Sequence, residues 1–145
     1  MNRYHQPEPT EIRVVFESEK QKIVVSPDPA EVWVGNPIVW RFEAKSMQVR
    51  RIRWTVYFHR PRLLSTLAAP FHFWRWLLFR RRGIPFFPGV GTELSSTTQA
   101  AGAHEGTIGP ATPESPGEYK YGVRVENAET GATLGDDDPI LLVRR

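Results

Sequence analysis

Apolar residues in this chain come in short alternating runs, and proline, glycine and asparagine separate the runs. "EIRVVFE" (11–17) alternates in part, and "QKIVVS" (21–26) stops at Pro27-Asp28-Pro29. "EVWV" (31–34) ends at Gly35-Asn36-Pro37, and "IVWRFEA" (38–44) follows directly. "VRRIRWTVYF" (49–58) places Val49, Ile52 or Trp54, Val56 and Phe58 near one face and arginines with Tyr57 on the other. Later runs are "EGTIG" (105–109), "GEYKYGVRVE" (117–126) and "PILLVRR" (139–145). Within 118–126, Tyr119, Tyr121, Val123 and Val125 alternate with Glu118, Lys120, Gly122, Arg124 and Glu126, the period-two signature of a half-buried strand. Seven or eight such strands predict an all-β chain, a two-sheet antiparallel β-sandwich forming a single domain over 1–145.

Two stretches break this rhythm. Residues 61–87 predict a helical insert between the middle strands: Pro61 suits a first turn, and Leu63, Leu64 and Leu67 share a helical face. After Pro70, "FHFWRWLLFRRR" (71–82) makes about three turns and stops at Gly83. Residues 88–104, small and polar, predict a flexible loop.

Charge changes the picture. From Ala44 to Thr92 the basic residues are Lys45, Arg50, Arg51, Arg53, Arg60, Arg62, Arg75, Arg80, Arg81 and Arg82, with no acidic residue among them. The net charge of +3 therefore conceals a basic middle and an acidic remainder. Such a face suits an anionic lipid, an acidic protein surface or nucleic acid. The chain has no cysteine, which removes disulfides, thiolate metal sites and cysteine nucleophiles. The start, "MNRYHQPEPTEIR", lacks the apolar segment of a secretory signal, so the expected location is cytoplasmic, with the cytoplasmic face of a membrane as the docking surface.

Two blocks resemble the cupredoxin family. "IVVSPDPAEVWVGNPIVWRFEA" resembles its opening strands, with Val32, Gly35, Val39 and Trp40 at corresponding spacing. "SPGEYKYGVRV" is similar to the strand that leads the family's tyrosines to a copper-ligating cysteine: Gly117, Tyr119 and Tyr121 match, and Val123 stands in the cysteine's place. Immunoglobulin-like sandwiches carry similar glycine–tyrosine patterns and remain the alternative. The resemblance implies a domain that has lost its copper ligands, because a blue-copper site takes two histidines and a thiolate. No histidine follows Trp40 closely, and Met47 and His59 form no ligand pattern. Electron transfer is therefore not carried over, and no cofactor is expected.

Other chemistry finds little support. His5, His59, His72 and His104 are scattered and are expected to be surface or partly packed side chains, without metal-ligand spacing. Asp136, Asp137 and Asp138 are expected in a solvated turn before the last strand. Ser95 and Ser96 have no positioned base, so no catalytic residue is assigned and the protein is expected not to be an enzyme.

The insert carries the functional expectation. Phe71, Phe73, Trp74, Arg75, Trp76, Phe79, Arg80, Arg81, Arg82, Phe86 and Phe87 combine aromatic and basic character. Twelve helical residues span ~18 Å, short of the ~30 Å hydrocarbon layer. Lying in the interface, such a helix sinks its rings while its arginines reach phosphates. The expected function is a binding module, a peripheral accessory subunit on a membrane or membrane-embedded complex. The family resemblance implies a respiratory or photosynthetic host. The alternatives are nucleic-acid binding by the basic 45–82 region, an uncharacterised enzyme, and a stand-alone soluble domain whose insert is a structural cap.

Overall fold

The computed structural model describes residues 8–58, 93–100 and 102–145. Ten strands follow one another: β1 (Thr10–Glu17), β2 (Lys22–Ser26), β3 (Ala30–Trp33), β4 (Ile38–Met47), β5 (Arg51–Phe58), β6 (Glu93–Gln99), β7 (Gly102–Ala111), β8 (Gly117–Asn127), β9 (Thr133–Asp137) and β10 (Ile140–Arg144). They form two sheets. The first runs β2-β1-β4-β7, and the second runs β3-β10-β8-β5-β6 with β9 also on β8.

Alternation decides which side chains meet between the sheets. Ile12, Val14 and Phe16 of β1, Trp40 and Phe42 of β4, and Ile52, Trp54, Val56 and Phe58 of β5 are all buried. So are Tyr119, Tyr121, Val123 and Val125 of β8, the row expected from the sequence. Phe42 stacks on Trp54 with ring centres 5.0 Å apart, joining one sheet to the other. Each such side chain, fully buried, contributes about 1.5–3 kcal/mol of transfer free energy.

Three expectations need correction. The sandwich is not wholly antiparallel, since β1 pairs with β4 and β3 with β10 in parallel. Parallel pairing needs a connection that carries the chain back across the molecule. Here β2 and β3 supply one such path, crossing from the first sheet to the second through Pro27–Pro29.

The loop expected over 88–104 contains all of β6 and the start of β7; residues 88–92 and 101 lie outside the described residues. In "ELSSTTQ", Leu94, Ser96 and Thr98 turn inward, while Glu93, Ser95, Thr97 and Gln99 are exposed. Hydroxyls occupy places that aliphatic residues fill in the other strands, which is tolerable at a sheet edge. The aspartate turn is also reassigned in part, because Asp136 and Asp137 belong to β9. Strand β9 lacks an apolar pattern because Gly135 faces the core: a Cβ there would lie 2.9 Å from the Phe16 ring.

Candidate functional site

Both blocks that carry the cupredoxin resemblance form part of the core. Gly35 takes φ +87° in the β3–β4 connection, a conformation that costs glycine least. Trp40 on β4 meets Tyr121 on β8 edge to face, with ring centres 6.2 Å apart. The Tyr119 hydroxyl donates to the Ser115 carbonyl at 2.9 Å and braces the start of β8.

Copper does not fit the donors here. Val123, in the thiolate's place, is fully buried and pairs with Val56 of β5. No group of three or more His, Cys, Asp or Glu residues converges among the described residues. His104 is fully buried, which corrects the expectation of a surface or partly packed imidazole. Its Nε2–H donates to the Val49 carbonyl at 2.9 Å, a group that can only accept. Nδ1 is therefore the acceptor for the Thr98 hydroxyl, also at 2.9 Å, and neither nitrogen is left for a metal. His104 instead ties β7 of the first sheet to β6 of the second. His5, His59 and His72 lie outside the described residues.

The chemistry-bearing surface is the outer face of the second sheet along β5. Arg51 and Arg53 are exposed there, and Thr55 and Tyr57 continue the row. Across β6 the partners of this row are Gln99, Thr97, Ser95 and Glu93. The Thr55 and Ser95 hydroxyls bond at 2.9 Å.

Tyr57 lies over Gly122, where a side chain would collide with the ring. Its hydroxyl donates to Asp136 at 2.7 Å, and the Arg124 guanidinium sits 5.2 Å from its ring centre. Burial first, then the bond to Asp136 and the Asp136 and Asp138 charges, raise the Tyr57 phenol above its ordinary value, against the opposing effect of Arg124. Arg124 also pairs with Glu126, and Lys120 with Asp138.

No ion pair or hydrogen bond engages the side chains of Arg50, Arg51 or Arg53 among the described residues. A guanidinium presents planar donors that match the oxygens of an anion.

No family model matches the chain. No curated protein matches it either. Among solved structures it is similar to auracyanin A, a "blue" copper protein from the green thermophilic photosynthetic bacterium Chloroflexus aurantiacus. That similarity is 16% identity over 94% of this chain and 100% of that one, with a TM-score of 0.45. Auracyanin B gives 14% identity over 100% and 94%, with a TM-score of 0.37. The dithionite-reduced auracyanin of the photosynthetic bacterium Roseiflexus castenholzii gives 12% identity over 96% and 99%, with a TM-score of 0.39. Neither ligands nor partners pass to this chain from likenesses of that size.

The docking residues expected from the sequence, Phe71, Phe73, Trp74, Arg75, Trp76, Phe79, Arg80, Arg81, Arg82, Phe86 and Phe87, lie outside the described residues, as does the expected helix over 61–87. The described strands do show where that segment leaves and rejoins the sandwich. It follows Phe58 of β5 and precedes Glu93 of β6, and Tyr57 and Glu93 are direct partners in the ladder.

Proposed function

We propose that this protein is a non-enzymatic binding module that docks to a membrane or a membrane-embedded complex through residues 61–87. The observation that carries the reading is the register Tyr57↔Glu93. Two antiparallel strands paired at that point need only a turn of about two to five residues to connect them. The chain instead uses residues 59–92, with six arginines, no acidic residue and seven of its large aromatic side chains. Connections of that length in compact domains commonly carry function. The two sheets bury an aromatic and aliphatic core supplied by the described strands, so the sandwich serves as the rigid support.

The test deletes residues 63–87 and closes the gap with a short Gly/Ser link. The shortened chain is expected to keep a cooperative melt and to lose its attachment to detergent-solubilised membranes. In the full chain, Trp74→Ala and Trp76→Ala should weaken attachment at low and high salt alike, because burial of apolar surface is not screened. A deletion variant without a cooperative melt would mean that the segment completes the core, and the docking reading would fall.

A further inference from the structure

We infer that Arg50, Arg51 and Arg53 form a second contact for an anionic lipid surface, separate in sequence from the insert and presented by the sandwich itself. This rests on the membrane reading above.

Elsewhere on the described sandwich, cations are matched with carboxylates: Arg41 with Glu11, Arg13 and Lys45 with Glu43, Lys20 with Glu17, Arg144 with Glu31. Lys22 and Arg145, which also lack an ion pair among the described residues, are isolated on β2 and after β10. The arginines at the start of β5 are clustered and unmatched. Arg51 and Arg53 are two residues apart on one face, about 7 Å along the strand. That is within the ~8 Å screening length at physiological salt, so they repel one another.

The nearest cross-strand carboxylate is Glu126, the ladder partner of Arg53, and Arg124 already holds it. On the β6 side the neighbours are neutral donors, Gln99 and Thr97. A row of guanidiniums beside hydroxyl and amide donors matches phosphate oxygens, which arginine binds in bidentate fashion.

Lipid phosphate fits better than nucleic acid because the row offers no ring for bases. Its only aromatic side chain, Tyr57, is laid over Gly122 with Arg124 against it and its hydroxyl on Asp136. Single-strand binders need exposed stacking rings beside their cations. Arg51 and Arg53 open β5, and the same strand ends at Phe58, the residue the insert follows in sequence.

The experiment is co-sedimentation of the full chain with phosphatidylcholine vesicles, with and without phosphatidylglycerol. Each basic residue near an anionic leaflet contributes roughly fivefold to partitioning. The triple variant Arg50→Gln, Arg51→Gln, Arg53→Gln should therefore bind the anionic vesicles about a hundredfold more weakly. It should bind the neutral ones like the wild type.

A control with the same loss of charge on the other sheet, Arg13→Gln, Lys20→Gln, Lys22→Gln, should bind like the wild type. If both triple variants lose affinity equally, total charge rather than this row is responsible and the inference is wrong. It is equally wrong if the β5 triple variant binds like the wild type while Trp74→Ala and Trp76→Ala abolish binding; the insert reading would then stand alone. Binding unchanged in all of these variants would remove the insert reading too. Displacement of the protein from anionic vesicles by a single-stranded oligonucleotide, lost in the β5 triple variant, would reassign the row to nucleic acid.

Discussion

The outer faces of the two sheets carry similar numbers of charges but handle them differently. On the first sheet, β1 and β4 set Glu11 against Arg41 at 2.9 Å, and Arg13 with Lys45 against Glu43 at 3.2 and 3.6 Å, around a shallow depression. On the second sheet, Arg124 pairs with Glu126 within β8 and Lys120 with Asp138 just after β9, yet the start of β5 leaves its arginines unmatched. A matched ladder is a solvated face that asks nothing of a partner. An unmatched row carries a repulsive cost that an anionic partner would relieve. Sequence charge totals cannot separate these cases, because the distinction lies in which residues are cross-strand neighbours.

The comparison depends on inward and outward rows being assigned correctly, and the largest effect tests that. Tyr121 is fully buried and Lys120 beside it is exposed. Tyr121→Asp should destabilise by about 3–5 kcal/mol by burying an unpaired charge. Lys120→Asp should cost under about 1 kcal/mol in denaturant melts. Equal effects would dissolve the distinction between the faces.

Next comes His104→Ala. It should cost about 2–4 kcal/mol, because the Val49 carbonyl and the Thr98 hydroxyl lose a buried partner. A smaller loss would show that the sheets do not depend on that bridge.

Alkaline titration follows in size. Burial pushes the Tyr119 and Tyr121 phenols upward from 10.0, so the folded chain keeps protons that the unfolded chain gives up. The stability they contribute is full below about pH 10 and falls as pH rises above it, by about 1.4 kcal/mol per pH unit for Tyr121. A melt unchanged up to pH 11.5, on the order of a unit beyond the ordinary phenol value, would contradict their burial.

The smallest effect bears on the faces directly. A double-mutant cycle on Arg13 and Glu43, both partly exposed, should give a coupling of about 0.2–1 kcal/mol that shrinks with salt. Arg51→Gln and Arg53→Gln should leave stability unchanged or slightly improved, since no attraction is lost. A measurable destabilisation there would reveal a partner on the chain itself.

Strands that face the core with aliphatic or aromatic side chains were legible from period two alone. β8 is the clearest case, and β5 placed its arginines and Tyr57 outward as expected. β6 escaped because Ser96 and Thr98 hold inward positions, and β9 because Gly135 must leave room for Phe16 and Ile23. The parallel pairs were illegible because periodicity reports a strand's faces but not its neighbours. His104 was misjudged for a related reason: its burial is satisfied by Val49 and Thr98, which only folding brings to it. For the candidate site, the arginines of β5 were visible in the sequence, and their lack of counter-charges became visible only in the ladder.

The position of β10 sets an order on biosynthesis. This strand lies between β3 and β8, so Ala30 has no ladder partner on that side until Leu141 has been made. During synthesis the first sheet can assemble as soon as β7 emerges, while β3 stays separated from the rest of the second sheet. Vectorial folding from the N-terminus is therefore blocked at β3, whose partner is made only after β4 to β9, and pairing so remote in sequence is slow. A ribosome stalled before residue 140 would hold a half-finished sandwich with two open strand edges, the state most exposed to aggregation.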